Sequence, residues 1–220
     1  MTQVKIGYDF GRESLRNNCY SFLKEHYEEH PDKVCMKWVN TGNKMKFAAN
    51  PEREALIHDP FTYGDLHDMV LRVASGYEEL GVEKGDRVLI FVPMIPWLYA
   101  GMFAFQMLGA IPVFLDTFVR HEQLAYVAKL TEPKVWLSVE QAFAMAEKEE
   151  ALQNIPIKIN MGPCTRQYNA RFEELLQASG NVEPVAVESE HTALITFTTG
   201  SSGAPKGADR SHRFLAAQHY

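Results

Sequence analysis

The stretch HTALITFTTGSSGAPKG, residues 191–207, joins an apolar run typical of a buried strand to a loop rich in glycine and hydroxyl side chains. Within Thr198–Gly207 stand three glycines, four hydroxyl residues and one lysine. Glycine lets backbone N–H groups approach a ligand closely, hydroxyls donate further hydrogen bonds, and the lysine adds a positive charge. Together these groups suit a multiply charged anion such as a polyphosphate.

The position of this loop supports a binding role. It follows the apolar run directly, so it lies at the carboxyl end of a strand, where α/β sheets place their ligands. Pro205 fixes the backbone beside Lys206, the single cation of the loop. An exposed turn of serine and glycine that binds nothing is the structural alternative.

Two common nucleotide-binding motifs do not fit the loop. The kinase and GTPase motif GxxxxGK followed by Ser or Thr fails in both registers, at Pro205 and at Ala208. The dinucleotide motif GxGxxG fails because Gly200, Gly203 and Gly207 are spaced three and four residues apart. Kinase and oxidoreductase functions therefore lose their main support.

Composition indicates an ordinary globular protein. The 220 residues are 46% hydrophobic and 23% charged, with a formal net charge of −6. No dense cluster of Lys and Arg occurs, which argues against nucleic-acid binding. The three cysteines, Cys19, Cys35 and Cys164, form no CxxC pair and are interpreted as reduced thiols of a cytoplasmic protein.

One long uncharged segment tests the expectation of no transmembrane segment. Val88–Leu115 is long enough to span a bilayer, but prolines and glycines interrupt it. The interruptions predict a strand at Arg87–Val92, a helix over about Pro96–Leu108, and a strand at Ile111–Leu115.

The rest of the chain divides into two regions. Residues 1–60 predict a helix ended by Pro31 and a hairpin of strands at 34–39 and 45–48. Residues 61–220 alternate helix and strand: helices over 62–80, 122–130, 139–151 and 171–178, and strands at 135–137, 156–159 and 191–199. This order predicts an α/β fold, a mostly parallel sheet with helices on both faces.

Two sequence blocks carry a family resemblance. The run ITFTTGSSGAPK (195–206), with Gly207 and Ser211–His212, resembles the signature of the AMP-binding, adenylate-forming superfamily of acyl-CoA synthetases, luciferases and peptide-synthetase adenylation domains. Upstream, FTYGDL (61–66) and residues 81–116 are similar to the family's early block. Departures are Asp65, Ser202 and Ala208, where Glu, Thr and Val are commoner. The resemblance covers about residues 60–215, and implies the N-terminal part of the adenylate-forming domain.

The resemblance implies an ATP-dependent, AMP-forming acid–thiol ligase. A carboxylic acid, with a fatty acid as the preferred class, would become acyl-AMP with release of pyrophosphate and then pass to coenzyme A. ATP, Mg²⁺ and coenzyme A are the implied cofactors. The implied phosphate-binding residues are Thr198, Thr199, Gly200, Ser201, Ser202, Gly203 and Lys206, with Lys206 also catalytic and Thr198 or Thr199 near the metal.

Several expectations limit this assignment. The family's later motifs are not in the chain, so we expect the C-terminal remainder of the same enzyme to complete the active site. The alternatives are another acceptor, as in β-lactone synthetases or peptide-synthetase modules, or a non-catalytic nucleotide-binding module.

Neighbouring residues receive structural interpretations. His212 is predicted to be structural, Asp209–Arg210 a solvated pair, and Asp116 a turn cap. Four aromatics of the 96–108 helix are expected to pack in the core rather than line an acyl pocket: Trp97, Tyr99, Phe103 and Phe105.

Overall fold

The centre of the fold is strand β3, Arg87–Phe91, which pairs in parallel with β4, Ile111–Phe114, and with β5, Val135–Ser138. The computed structural model describes residues 13–38, 60–115, 119–198 and 204–219. Within these ranges one seven-stranded sheet has the order β7-β6-β5-β3-β4-β8-β9. Its outer strands are β6 (Ile157–Asn160), β7 (Ala170–Arg171), β8 (Thr192–Thr198) and β9 (Lys206–Ser211).

Strand direction agrees with the predicted α/β class. The described pairs of the sheet are parallel from β7 to β8, and the last pair, β8 with β9, is antiparallel. A separate two-stranded antiparallel ribbon joins β1, Val34–Met36, to β2, Phe61–Thr62. The other half of the predicted hairpin, residues 45–48, lies outside the described residues.

The helices cover both faces of the sheet. They are α1 (Tyr20–Glu29), α2 (Tyr63–Glu79), α3 (Pro96–Met107), α4 (His121–Thr131), α5 (Glu140–Met145), α6 (Glu150–Gln153), α7 (Phe172–Leu175) and α8 (His212–His219). Short 3₁₀ turns occur at Leu15–Asn17 and Ala146–Lys148.

The side chains of β3 alternate between the two faces of the sheet, and a hydrophobic core lies on each face. Val88 and Ile90 are buried in a first core with residues of α2 and α3, whereas Leu89 is buried in a second core with residues of α4 and α5. Successive side chains of a strand point to opposite faces, so the apolar run of β3 needs helices on both sides. The predicted two-faced sheet is confirmed.

The long uncharged segment is cut as predicted. It forms β3, α3 and β4, and Pro96 is the first residue of α3. None of the described helices has the length and apolar character needed to cross a membrane.

Three parts of the predicted secondary structure are wrong in detail. The helix predicted over 139–151 is broken into α5, a 3₁₀ turn and α6, because Glu149 adopts extended dihedral angles that turn Leu152 into the second core. The helix predicted over 171–178 shortens to α7. Strand β9 was not predicted, since KGADRS lacks apolar alternation and is formed by pairing with β8.

Helix α2 begins with a reciprocal cap. Thr62 Oγ1 accepts a hydrogen bond from the Asp65 N–H at 3.1 Å, and Asp65 Oδ2 accepts from the Thr62 N–H at 2.9 Å. The pair satisfies two backbone groups that a helix start leaves open. Asp65, which departs from the family pattern, therefore keeps the capping function.

We expect Thr62→Ala to lower the free energy of unfolding by about 1 kcal/mol, because the hydroxyl acceptor for the Asp65 N–H is lost. Urea denaturation measures the change. Thr62→Ser is the control, since it keeps the hydroxyl and should stay close to the wild type. An unchanged unfolding midpoint in Thr62→Ala would show that the cap does not stabilise α2.

Candidate functional site

The candidate site lies at the closed end of the β8–β9 hairpin. The antiparallel register runs from Thr192 opposite Ser211 to Thr198 opposite Lys206. Residues 199–205 connect the two strands. Because Thr198 and Lys206 are cross-strand partners, their Cα atoms lie about 5 Å apart.

The structure describes two of the predicted phosphate-binding residues, Thr198 and Lys206, and brings them together. Both are exposed to solvent. The other predicted residues lie outside the described part of the chain: Thr199, Gly200, Ser201, Ser202 and Gly203. Their roles stay predictions, as does that of Asp116, which is also outside the described residues.

The hairpin tip projects from the carboxyl edge of the parallel sheet. Phe114, the last residue of β4, pairs with Thr196, so Thr198 lies two residues further along β8. The strands β3, β4 and β5 end at the same edge because they run parallel to β8. This is the edge at which α/β sheets bind ligands.

Pro205 and Lys206 have opposite environments. Pro205 is buried, whereas Ala204 before it and Lys206 after it are exposed. The proline therefore anchors the loop end in the protein, and the lysine starts β9 with its ammonium group in solvent. The Lys206 side chain is accessible from solvent.

Packing against Phe197 explains why residue 207 is a glycine. A Cβ atom at this position would lie 2.8 Å from Cζ of Phe197, its cross-strand partner. Phe197 is itself buried in the second core. Gly207, the third glycine of the motif, therefore leaves the space that the Phe197 ring occupies.

The predicted solvated pair in β9 holds in part, since Asp209 is exposed and Arg210 is half-buried. Asp209 accepts a hydrogen bond from Thr192 Oγ1 at 3.1 Å. The half-buried Arg210 donates to Thr196 Oγ1 and lies over the ring of Phe214, 5.8 Å from its centroid. Both side chains help to bind β9 to its neighbours.

His212 is buried, in agreement with its structural interpretation. Its Nδ1 accepts the N–H of Cys19 at 2.9 Å, so the ring proton lies on Nε2. No described residue hydrogen-bonds to Nε2. Burial, and to a smaller extent the neighbouring His191, lower the pKa of His212 to about 3, so the ring is neutral at pH 7.

Two of the four aromatic residues of α3 line a cavity in addition to packing against the core. Phe105 stacks on Tyr77 in the first core, and Trp97 stacks on Phe172. Tyr99 and Phe103 pack against the same core but also line a cavity of about 830 Å³. The cavity lies between α1, β1, α3 and α8, and most of its lining is apolar.

Sequence analysis missed two buried amides that hold the base of β8. Gln106 Nε2 donates to the Ala193 carbonyl at 3.2 Å. Asn18 Nδ2 donates to the carbonyls of Gln106 at 2.7 Å and Val185 at 3.0 Å. The one available signal was a glutamine inside an otherwise apolar helix, because buried amides need partners.

The metal prediction rests on threonine hydroxyls alone. Among the described residues, no group of His, Cys, Asp and Glu side chains has the arrangement of a metal site. Mg²⁺ commonly takes one or two protein oxygens and completes its shell with phosphate oxygens and water. Thr198 is exposed, and its role near the metal stays a prediction.

Comparison with known families decides the wider assignment. The family described as AMP-binding enzyme matches residues 24–220. The chain belongs to this family. The resemblance seen in the two sequence blocks is therefore confirmed.

The curated relatives have similar names. An acetyl-coenzyme A synthetase of Rhizobium rhizogenes is 25% identical over 92% of this chain and 32% of its own length. The mitochondrial acyl-CoA synthetase short-chain family member 3 of Bos taurus is 27% identical over 90% and 30%. The chain thus spans about a third of the length of these relatives.

Solved structures confirm the fold. An anthranilate CoA ligase in complex with anthranoyl-AMP matches with a TM-score of 0.76 and 16% identity, over 91% of this chain and 36% of that one. A Brucella canis acyl-CoA synthetase matches with a TM-score of 0.74 and 20% identity, over 96% and 36%. At these identities the likeness concerns architecture.

We expect Gly207→Ala to lower the free energy of unfolding by about 1–3 kcal/mol, because the new methyl group overlaps the Phe197 ring. Chemical denaturation measures it, with Phe197→Leu and the double variant completing a cycle. The double variant should lose less than the sum of the singles. Additive losses would mean that the ring does not cause the effect.

We expect the unfolding free energy to fall as the pH falls below about 6.5, because unfolded His212 takes up a proton that the folded protein refuses until about pH 3. Between pH 6 and 4 this contribution amounts to about 2 kcal/mol. Urea titrations of the wild type and His212→Asn isolate it from the carboxylates. Equal pH slopes for the two proteins would contradict the neutral, buried imidazole.

Proposed function

We propose that this chain forms the phosphate-binding part of an ATP-dependent, AMP-forming acid–CoA ligase. The observation that carries the proposal is the Thr198–Lys206 pair, which flanks the glycine-rich loop at the carboxyl edge of the sheet. Family membership supports the same chemistry. ATP and coenzyme A are the proposed co-substrates, and Mg²⁺ the proposed metal.

The reaction begins with attack of the acid's carboxylate oxygen on the α-phosphorus of ATP. The bond from that phosphorus to the bridging oxygen breaks, and acyl-AMP and pyrophosphate form. Negative charge grows on the pyrophosphate as it leaves, so donors fixed toward its oxygens lower the barrier. Coenzyme A would then take the acyl group from the adenylate and release AMP.

Each proposed residue has a role in that first step. Lys206 would place an ammonium group at the pyrophosphate, and Thr198, its cross-strand partner, would add a hydroxyl group there. The loop residues Thr199, Gly200, Ser201, Ser202 and Gly203 would add backbone and hydroxyl donors. Mg²⁺ when bound supplies further charge to the phosphate oxygens.

For the acid we propose short-chain carboxylic acids as the first class to test. The relatives are named acetyl-coenzyme A synthetase and short-chain acyl-CoA synthetase. The fatty acid preferred from sequence is the competing proposal. A complete site would draw on residues of the C-terminal remainder.

We expect the full-length gene product to catalyse carboxylate-dependent exchange of pyrophosphate into ATP and to release AMP. Lys206→Ala should lower the exchange rate about 100-fold or more, the range seen when one transition-state donor is removed. Acetate, propionate, octanoate and benzoate cover the acid classes. Radiolabelled pyrophosphate measures exchange, and chromatography separates AMP from ADP.

Lys129→Ala is the matched control for that experiment. Lys129 is an exposed lysine near the end of α4, and the following Thr131 carbonyl accepts a bond from Arg87 at the amino end of β3. It therefore lies at the sheet edge opposite the loop, and its removal should leave exchange unchanged. Formation of ADP with the correct acid would overturn the proposal.

A further inference from the structure

The tip of the β8–β9 hairpin receives little support from the rest of the described sheet. β8 has seven residues, but its described pairing with β4 ends at Thr196. Beyond that point Phe197 and Thr198 pair with β9. Two-stranded ribbons twist strongly and are weakly stable alone, so the direction of the tip depends on how the base is held as well as on the burial of Phe197 and Pro205.

The base of the hairpin is held by backbone bonds at the start of α8. The His212 N–H donates to the His191 carbonyl at 3.0 Å, and the Arg213 N–H donates to the Ser189 carbonyl at 2.8 Å. These bonds close the open end of the hairpin onto itself. They do not join it to another layer of the protein.

The side chain of His212 makes such a connection, in addition to the bond from Gln106 of α3 to the Ala193 carbonyl. Its Nδ1 accepts the N–H of Cys19, the residue that precedes α1 and lies 193 positions earlier in the chain. Helix α1 is fixed in turn, because Tyr20 and Leu23 are buried in the first core. His212 thus ties the hairpin base to a helix that packs against α2 and α3.

A second imidazole extends the connection toward β4. His191 stacks on His212, with ring centroids 5.8 Å apart and an interplanar angle of 16°. The Nε2 of His191 lies 2.9 Å from the Gly109 carbonyl, in the turn before β4. The stacked pair therefore joins the hairpin base to α1 on one side and to the entry of β4 on the other.

We infer that His212 is a positioning residue for the polyphosphate site, because its bond to Cys19 helps to fix the direction of the β8–β9 hairpin beyond the pairing of β8 with β4, and hence the place of Lys206. The inference rests on the proposed function and deepens it. His212 lies at the far end of β9 from Lys206 and acts through the strand.

Because Lys206 lies far from the base of the hairpin, a small rotation at the base would move it by a large distance. From Ser211 to Lys206 the strand advances five residues, or about 17 Å at about 3.3 Å per residue. A rotation of about 10° at the base would move Lys206 by about 3 Å, since displacement is the product of angle and length. Hydrogen bonds to a phosphate oxygen do not survive such a shift.

The test measures separate KM values for ATP and for the carboxylic acid in the pyrophosphate-exchange reaction of the full-length protein. His212→Ala should raise the KM for ATP at least tenfold and leave the KM for the acid within twofold. His212→Asn should stay within threefold of the wild type for ATP, because the asparagine oxygen occupies the place of Nδ1 and can accept the Cys19 N–H.

Val70→Ala is the control for loss of stability. Val70 is buried in the first core, on α2, and its truncation should lower the melting temperature without moving the hairpin. Loss of folded enzyme lowers the apparent kcat but leaves KM unchanged. An equal rise in the KM for ATP in Val70→Ala would overturn the inference.

The remaining outcomes are also decisive. Should His212→Ala yield no folded protein, His212→Gln replaces it, because glutamine carries its amide at the place of Nε2 and does not accept from Cys19. If the variant that lacks an acceptor for the Cys19 N–H has wild-type KM values, the inference is wrong, but the proposed function is not affected. Absence of exchange in the wild type, or release of ADP, would overturn the proposed function and the inference with it.

Discussion

The parallel pairing of β4 with β8 is the constraint on which the candidate site depends. It joins Val113 to Ile195 and Phe114 to Thr196, after the intervening strands β5, β6 and β7 have been placed on the other side of β3. The pairing sets the direction of β8 and brings its carboxyl end to the edge where β3 and β4 also end.

Elements with strong local signals were predictable from the sequence, and elements defined by a distant partner were not. Thr62 and Pro96 mark helix starts, and both α2 and α3 begin where these residues predict. Strand β9 has no apolar alternation, because its described residues from Lys206 to Asp209 are exposed and its backbone pairs with β8. The break at Glu149 in the helix predicted over 139–151 is likewise a tertiary effect, since no proline or glycine marks it in the sequence.

The residues of the candidate site divide in the same way, into those indicated by local sequence signals and those defined by contacts with distant residues. Loop composition and the two family blocks indicated Lys206 and Thr198, and the register places them opposite each other. The contact of Gly207 with Phe197, and the bond from the Cys19 N–H to His212, depend on atoms that meet only after folding. A sequence motif names residues that belong together, but it does not separate those that face a ligand from those that hold the scaffold.

The two outermost strands of the described sheet affect how this part of the chain behaves in concentrated solution. An exposed strand edge presents unpaired N–H and C=O groups on which another chain can add. At one end β7 has two residues, too few to act as a template, and at the other end β9 carries Lys206, Asp209 and Arg210. These charges therefore oppose edge-to-edge association at the β9 end of the described sheet.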